Sequence, residues 1–551
     1  MWCGCFRRRV QSTSTAADNP AVVIYYGTQS GGTEQLATRL SRQLAASALS
    51  LADFEFAFAA RHRHVIFMCA TYGKGGPTDD AKEFLHWLTE STAADLGALH
   101  YAVFGAGSSD YPDTFNGMAK KVDATLAARG AKSFLPLTLG DAGGMGDKLE
   151  TDYLTWEPQV LAVLKATAAT HTGDERAELR RTSTARAAVL AQPPTLELLV
   201  IRPLSPTAVH VEFALPPSVS SYRGADTLFL YPQNTPAVVA AVAAHLGIND
   251  LAAVEPTFKC SAREALTHHV DLFAVSRDVL TSLAAHATDA VEAARLRHLG
   301  SLGGSADLAS VVRGPRLSLL GVLKLFPSVR PSLSNFLRAA TPMKPRQYTI
   351  ASSPLVHAAA IHICVSIPPA AESFDRHFGT MGACLRALVD AHAGRVLFHG
   401  SPKPSTFAFP DNPKRPVVMI AAGAGIAPMR AIWQERAAVK RRGSLGGPSI
   451  GGPMLLFFGC RDQDNYLYAD EIARQEGLTT HAVFSRTLPK QYVQDCVRDH
   501  LGEIIKLQDA VVYLCGRTDM ALAIQNVFKT DAPAWWDTLQ ASNRFNQEVF
   551  G

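Results

Sequence analysis

No Cys-x-x-Cys pair occurs among the nine cysteines of this 551-residue chain. That lack argues against a zinc site or a disulfide framework, and no metal is expected. Cys69, Cys364, Cys460 and Cys515 lie in apolar runs and read as reduced core thiols, as suits a cytoplasmic protein. No apolar run reaches the roughly 18 residues of a membrane span. The nearest, Ala237 to Leu246, is short and Ala-rich. Charge of one sign is also scarce: a net charge of +4 does not suggest a nucleic-acid partner. What is plentiful is apolar. With 47% hydrophobic residues the chain can build real cores, and its length suits about three domains.

Residues 1–20 carry Trp2-Cys3-Gly4-Cys5-Phe6-Arg7-Arg8-Arg9, then Ser and Thr, with no apolar core of signal-peptide length. Three readings stand. The segment is an unstructured tail; or Cys3 and Cys5 are palmitoylated beside three Arg, giving peripheral membrane contact; or, with no acid before Asp18, it is a mitochondrial presequence. Trp2 excludes myristoylation.

Residues 21–165 open on a continuous apolar run, Ala21 to Tyr26, the signature of a buried parallel strand. Gly27-Thr28-Gln29-Ser30-Gly31-Gly32-Thr33 follows, and then Leu36, Leu40 and Leu44 at helical spacing. Strand, hydroxyl/Gly loop and helix make a phosphate cradle. Its hydroxyls suit a monophosphate, since the Walker Gly-Lys-Ser/Thr ending is missing. Further strands are expected at Val65 to Ala70, His100 to Phe104 and Leu135 to Leu139. They end in Thr71-Tyr72-Gly73-Lys74-Gly75, in Ser108-Ser109-Asp110-Tyr111 and in Gly140-Asp141. Ligands of open α/β sheets sit at such strand ends, and Tyr72 and Tyr111 could sandwich a flat ring.

Residues 166–194 are Ala/Thr/Arg-rich and read as a linker. Residues 195–410 alternate in strand fashion, interrupted by a helical block over about 236–339. In Arg346-Gln347-Tyr348-Thr349, Arg346 and Tyr348 share one face of a strand and Thr349 takes the other. Together they offer a phosphate-pairing cation, an aromatic plate and a hydroxyl. Gly379-Thr380-Met381-Gly382 opens a helix whose N-terminus can take a pyrophosphate. Residues 411–551 begin with a buried strand, Pro416 to Ala422, then Gly423-Ala424-Gly425 and a helix. Ser485-Arg486 and Lys490-Gln491-Tyr492-Val493-Gln494 set two cations, a hydroxyl and a Tyr after another strand, groups that suit a 2′-phosphate.

These motifs, in this order over about residues 21–551, resemble the diflavin reductases, most closely the NADPH–haemoprotein reductases that feed cytochromes of the P-450 class. The run Arg346 to Thr349 is similar to the Arg-x-Tyr-(Ser/Thr) flavin motif of the ferredoxin-reductase family, and the end Arg544-Phe545-Asn546-Gln547-Glu548-Val549-Phe550 to the Arg-Tyr-x-x-(Asp/Glu)-Val-Trp closing the diflavin reductases. The resemblance implies an α/β multidomain fold. A flavodoxin-like doubly wound FMN domain would be followed by a β-barrel FAD domain with a helical insert, then a Rossmann-like NADP-binding domain.

By that resemblance FMN would lie on Thr28, Gln29, Ser30, Gly31, Gly32 and Thr33, with Ala70, Thr71, Tyr72, Gly73, Gly75, Ser108, Tyr111, Asn116 and Asp141 around its ring. FAD would take Arg346, Gln347, Tyr348 and Thr349, then Cys364, Val365, Ser366, Gly379, Thr380, Met381 and Gly382, with Phe550 covering its ring. Arg316 keeps the family's spacing from Arg346, though a helix-surface position fits it better. NADPH would use Gly423, Ala424, Gly425, Ser485, Arg486, Lys490, Tyr492, Gln494 and Cys515. Thr349, Cys515, Glu548 and Phe550 would serve hydride transfer. The family usually carries Ser or Thr at 382, Thr at 424 and Trp at 550; here stand Gly382, Ala424 and Phe550.

The implied activity passes electrons from NADPH through FAD and FMN to a one-electron acceptor, a haemoprotein. An iron–sulfur assembly protein is the alternative acceptor, and a catalytically silent flavoprotein scaffold the alternative class. A monomer is expected.

Overall fold

Continuous apolar runs in the first 165 residues become buried parallel strands, because a strand covered on both faces needs no polar alternation. Val22–Gly27 pairs with Ser47–Ser50 on one side and His64–Tyr72 on the other. His64–Tyr72 pairs in turn with His100–Gly107, and that strand with Thr138–Asp141. The order is second, first, third, fourth, fifth, the doubly wound arrangement expected.

Two strands differ from expectation. Ser47–Ser50 has no long apolar run to announce it; it lies half exposed at the sheet edge, where Ala48 and Leu49 alone pack on the cores. The last strand is Thr138–Asp141 rather than Leu135 to Leu139, with a short Lys132–Ser133 pairing before it. Pro136 stands between them and has no N–H for the ladder.

The computed structural model describes residues 22–168 and 194–550, apart from 30, 60–61, 63, 74, 91–95, 144–147, 220, 257, 369–374, 377–378, 392–394, 406, 408, 411 and 444–450. The tail and its Cys3 and Cys5, the Ser30 position and nearly all of the linker lie outside these. Helix Lys148–Ala168 runs on through 166–168, the first residues assigned to the linker. The chain divides into two units, Met1–Leu190 and Ala191–Gly551.

In the second unit six antiparallel strands form a barrel. Its order is Arg346–Thr349, Thr227–Leu230, Leu397–Lys403, Thr195–Ser205, Ala208–Ala214 and Ala360–Ser366. An Ile350–Ile363 bridge joins the first strand's end to the last strand. Helices from Pro236–His245 to Leu333–Ala339 interrupt it. They pack round a core of their own, Val238 to Ala340.

Five parallel strands complete the unit: Leu478–Phe484, Met454–Cys460, Val417–Ala422, Val511–Arg517 and Phe545–Phe550. Barrel residues Ala208, Ala225, Ala351 and Cys364 share one hydrophobic cluster with Val417, Met419, Ile426 and Trp433, so barrel and nucleotide sheet form one body. Arg430, 4% exposed, pins them: it donates to the Ala351 carbonyl at 2.9 Å and forks onto Glu471 at 2.7 and 3.1 Å. Among the described residues no helix is long and apolar enough to cross a membrane.

Candidate functional site

In the first unit the loops gather at the C-terminal ends of adjacent parallel strands. Helix Gly32–Leu44 starts after Gly31, which at φ 85° brings no side chain to the first-turn amides. A helix end of that kind accepts an anion, so the loop fits a phosphate. Thr28 lends its hydroxyl to the Gly31 N–H at 2.9 Å, whereas Thr33 is buried and Gln29 pairs with Asp79.

Asp80, which the sequence did not mark, fixes the loop from beneath. Its carboxylate accepts from Thr28 N at 3.0 Å, Thr78 Oγ1 at 2.5 Å and Ser50 Oγ at 3.2 Å. Burial pushes its pKa up, against those donors.

Tyr72 is exposed at the end of one strand, and half-buried Tyr111 follows the neighbouring strand. Gly73 and Gly75 between them have φ of 57° and 83°, left-handed conformations that suit glycine. Ala70 and Thr71 are half-buried, and the Thr71 hydroxyl accepts from Met118 N. Ser108 binds Asp110. Asp141 accepts from the Ser109 and Gly143 amides at 2.8 Å and from Lys148 at 2.7 Å. Burial opposes its charge, but Lys148 and those amides hold its carboxyl far below the usual range. Asn116 does not line an open site. It is wholly enclosed, its amide donating to the Gly140 carbonyl at 3.0 Å, and it braces the strand ends from behind.

In the barrel, Arg346 is a half-exposed strand residue held by two acceptors: the Lys344 carbonyl at 2.8 Å and Asp271 Oδ2 at 2.7 Å. Asp271 comes from the helical insert and is 3% exposed. Its other oxygen accepts from Thr380 Oγ1 at 2.5 Å. One buried carboxylate thus sets both the cation and the start of helix Thr380–Asp390, whose N-cap Gly379 supplies no side-chain bond. A cation beside uncapped first-turn amides fits a pyrophosphate. The insert thus supplies the carboxylate that positions both groups.

Tyr348 packs half-buried on the barrel core, and Gln347 is exposed. Cys364, Val365 and Met381 are buried structural residues, while Ser366 lines the neighbouring cleft. A Cβ on Gly382 would meet Pro368 at 2.8 Å, so the usual Ser or Thr does not fit here. Arg316 lies on no helix surface: it is exposed in a turn at φ 56°, just before helix Leu319–Leu325.

Barrel and sheet meet at Thr349, Glu548 and Cys515. The Thr349 hydroxyl donates to Glu548 Oε2 at 2.8 Å across the junction. Cys515 stands opposite Glu548 in the parallel register of the last two strands. Burial pushes the Glu548 carboxyl up to about 7, the Thr349 bond opposing. The Cys515 thiol is 1% exposed and raised by burial and by Glu548. It abuts the junction rather than the open cleft, because the sheet covers it. Gly425 lets the helix approach it: a Cβ there would meet the Cys515 carbonyl at 2.2 Å.

Beside the junction lies a cleft of about 520 Å³, lined by Gly423, Ala424, Ser485, Arg486, Tyr492, Gln494 and Phe550. Lys490 is outside this lining; its ammonium sits 5.1 Å over the exposed Tyr492 ring. Arg461 and Arg517 line the cleft and were not foreseen as ligands. Both stand at C-terminal strand ends, the position that could have revealed them. Phe550, 45% exposed, closes one side from the last strand.

Comparison with known proteins agrees. The Flavodoxin family model matches residues 24–156, the FAD binding domain model 202–379 and the Oxidoreductase NAD-binding domain model 419–526. The chain is 31% identical to NADPH–cytochrome P450 reductase of Rattus norvegicus and 32% identical to that of Bos taurus. Each match covers 92% of this chain and 83% of the relative. It is 30% identical to a bifunctional cytochrome P450/NADPH–P450 reductase of Fusarium oxysporum, over 93% of this chain and 50% of that protein. Three matching family models in order and this likeness along nearly the whole chain make it a member of the diflavin reductase family, an NADPH-dependent oxidoreductase of the cytochrome P450 reductase type that uses FMN, FAD and NADPH.

Proposed function

We propose that the chain supplies single electrons from NADPH to a haemoprotein of the cytochrome P-450 class. The names of its relatives support that acceptor. The observation that carries the catalytic part is the Thr349–Glu548 hydrogen bond beside Cys515. When bound, the nicotinamide and the two flavins supply the hydride chemistry and the splitting of an electron pair into single electrons.

The protein's share is placement and charge. Arg346 and the start of helix Thr380–Asp390 hold the FAD pyrophosphate, and Tyr348 backs the ring. Thr349 Oγ1 donates a hydrogen bond to Glu548 Oε2, orienting a carboxylate that balances positive charge on the nicotinamide. Ser485, Arg486, Tyr492 and Gln494 hold the 2′-phosphate, with Lys490 at the rim. Phe550 covers the FAD site. In the first unit the Thr28–Thr33 loop takes the FMN phosphate, and Tyr72 and Tyr111 flank its ring.

The acceptor is tested by comparing NADPH-dependent reduction of a haem monooxygenase, an iron–sulfur protein and cytochrome c by purified enzyme. Efficient turnover of the monooxygenase is expected. Reduction of the iron–sulfur protein alone would move the assignment to iron–sulfur assembly.

Exchanging Asp271 for Asn should loosen FAD. The amide carries no charge and one acceptor oxygen for two donors, so Arg346 loses its anionic anchor. Because Arg346 keeps 36% side-chain exposure, solvent screens the pair. About 1–2 kcal/mol is expected rather than the larger cost of a fully buried pair, near tenfold in the FAD dissociation constant. FMN retention serves as the internal control. Unchanged or tighter FAD binding would mean that the carboxylate competes with the pyrophosphate.

A further inference from the structure

We propose that His481, His500 and Glu503 form a binding site for a divalent transition-metal ion of the zinc type. His481 stands on the edge strand Leu478–Phe484, His500 between helices Val493–Asp499 and Leu501–Lys506, and Glu503 within the second helix. One ligand atom from each lies within 4.8 Å of the others. Against the expectation drawn from cysteine spacing, the ligands are imidazoles and a carboxylate.

Three details argue for a site rather than a chance cluster. First, His500 Nδ1 is 2.9 Å from the Cys496 carbonyl. A carbonyl only accepts, so Nδ1 carries the proton and Nε2 presents a lone pair. That is how metal-binding histidines are fixed by their second nitrogen. Second, His481 Nε2 is shielded from water and 3.2 Å from Glu503 Oε2, so two ligand atoms already converge on one point. Third, the His481 ring is stacked on buried Phe457, centroids 5.0 Å apart and 17° between planes, so its position is set before any ion arrives.

Two nitrogens and one carboxylate oxygen suit zinc, with water completing a tetrahedron. Calcium and magnesium prefer oxygen shells. Two other groups fit less well. In the group of His210, Glu212 and His362, both His210 nitrogens are already taken by Tyr468 and Glu212, and the Arg430 guanidinium lies 3.3 Å from His362 and repels a cation. In the group of Cys260, Glu264 and His269, no hydrogen bond among the described residues fixes the His269 ring.

His481 stands on the strand that leads to Ser485, but none of the three residues lines the nucleotide cleft. Holoenzyme, stripped with chelator, is dialysed against zinc chloride. The wild type should bind one equivalent more than the His481→Gln/His500→Gln variant, and Glu503→Gln should bind at least tenfold more weakly. Cobalt should give intense tetrahedral bands in the difference spectrum, lost in the double variant. The variants should keep both flavins and metal-free NADPH turnover, which controls for folding. Equal zinc stoichiometry in wild type and double variant, or a weak six-coordinate cobalt spectrum, would overturn the site.

Discussion

Glu548→Gln is expected to slow NADPH oxidation by about two to three orders of magnitude, the loss typical when a preorganised charge is removed from the reacting centre. It should also erase a pH dependence. In the folded protein burial lifts the Glu548 carboxyl to about 7 from an ordinary value of 4.5. Below about pH 7 it is neutral; above, it carries the charge that balances the nicotinamide. The pH profile of kcat/KM reports groups of the free enzyme, so in wild type it should rise with a midpoint near 7. Gln keeps an acceptor for the Thr349 hydroxyl and fills nearly the same volume, so the variant should be slow and flat across this range. Thr349→Val removes a donor that favours the ionised carboxyl, and its midpoint should move to higher pH.

Stability changes in the opposite sense to activity. Between about pH 4.5 and 7 the folded protein retains a proton on Glu548 that the unfolded chain releases, so this carboxyl makes folding less favourable as pH rises through that window. Glu548→Gln should therefore melt less pH-dependently there. A retained midpoint near 7 in the Gln variant, read by stopped-flow bleaching of the flavin, would assign the titration to another group.

Much of this site could be read from the chain, because its pieces are local motifs at strand ends. The hydroxyl/Gly loop after Tyr26, the strand Arg346–Thr349 and the residues after Phe484 each carry their chemistry within a few positions. Thr349 and Glu548 lie far apart in sequence, yet the family resemblance brought them together, and the structure joins them. What stayed hidden were partners with no pattern of their own. Asp80 and Asp271 look like surface acids in a sequence; only the fold half-buries the one and buries the other against donors from distant segments. The Ser47–Ser50 strand needed no apolar run because it forms an edge. The place of Arg316 depended on a left-handed turn, and that of Lys490 on a nearby tyrosine ring, neither of which spacing reveals.

That distinction between Arg486 and Lys490 has a measurable consequence. Backbone bonds from Ser485 N to the Cys460 carbonyl at 2.9 Å and from Arg486 N to the Arg461 carbonyl at 2.7 Å carry the strand pairing on into the cleft wall. Arg486 is thus presented from a rigid sheet edge, with its side chain on the cleft lining. A charge-assisted hydrogen bond to phosphate contributes about 1.5–3 kcal/mol, so Arg486→Ala should raise the KM for NADPH by about ten- to a hundredfold. The KM for NADH, which lacks the 2′-phosphate, should stay within about twofold, and the NADPH effect should shrink as salt screens the exposed site. Lys490→Ala should cost only a few-fold, since its ammonium rests over Tyr492 outside the cleft lining. Steady-state kinetics with both nicotinamides decide the matter: a Lys490 effect equal to or larger than that of Arg486 would place the phosphate at the loop rim instead of on the strand end.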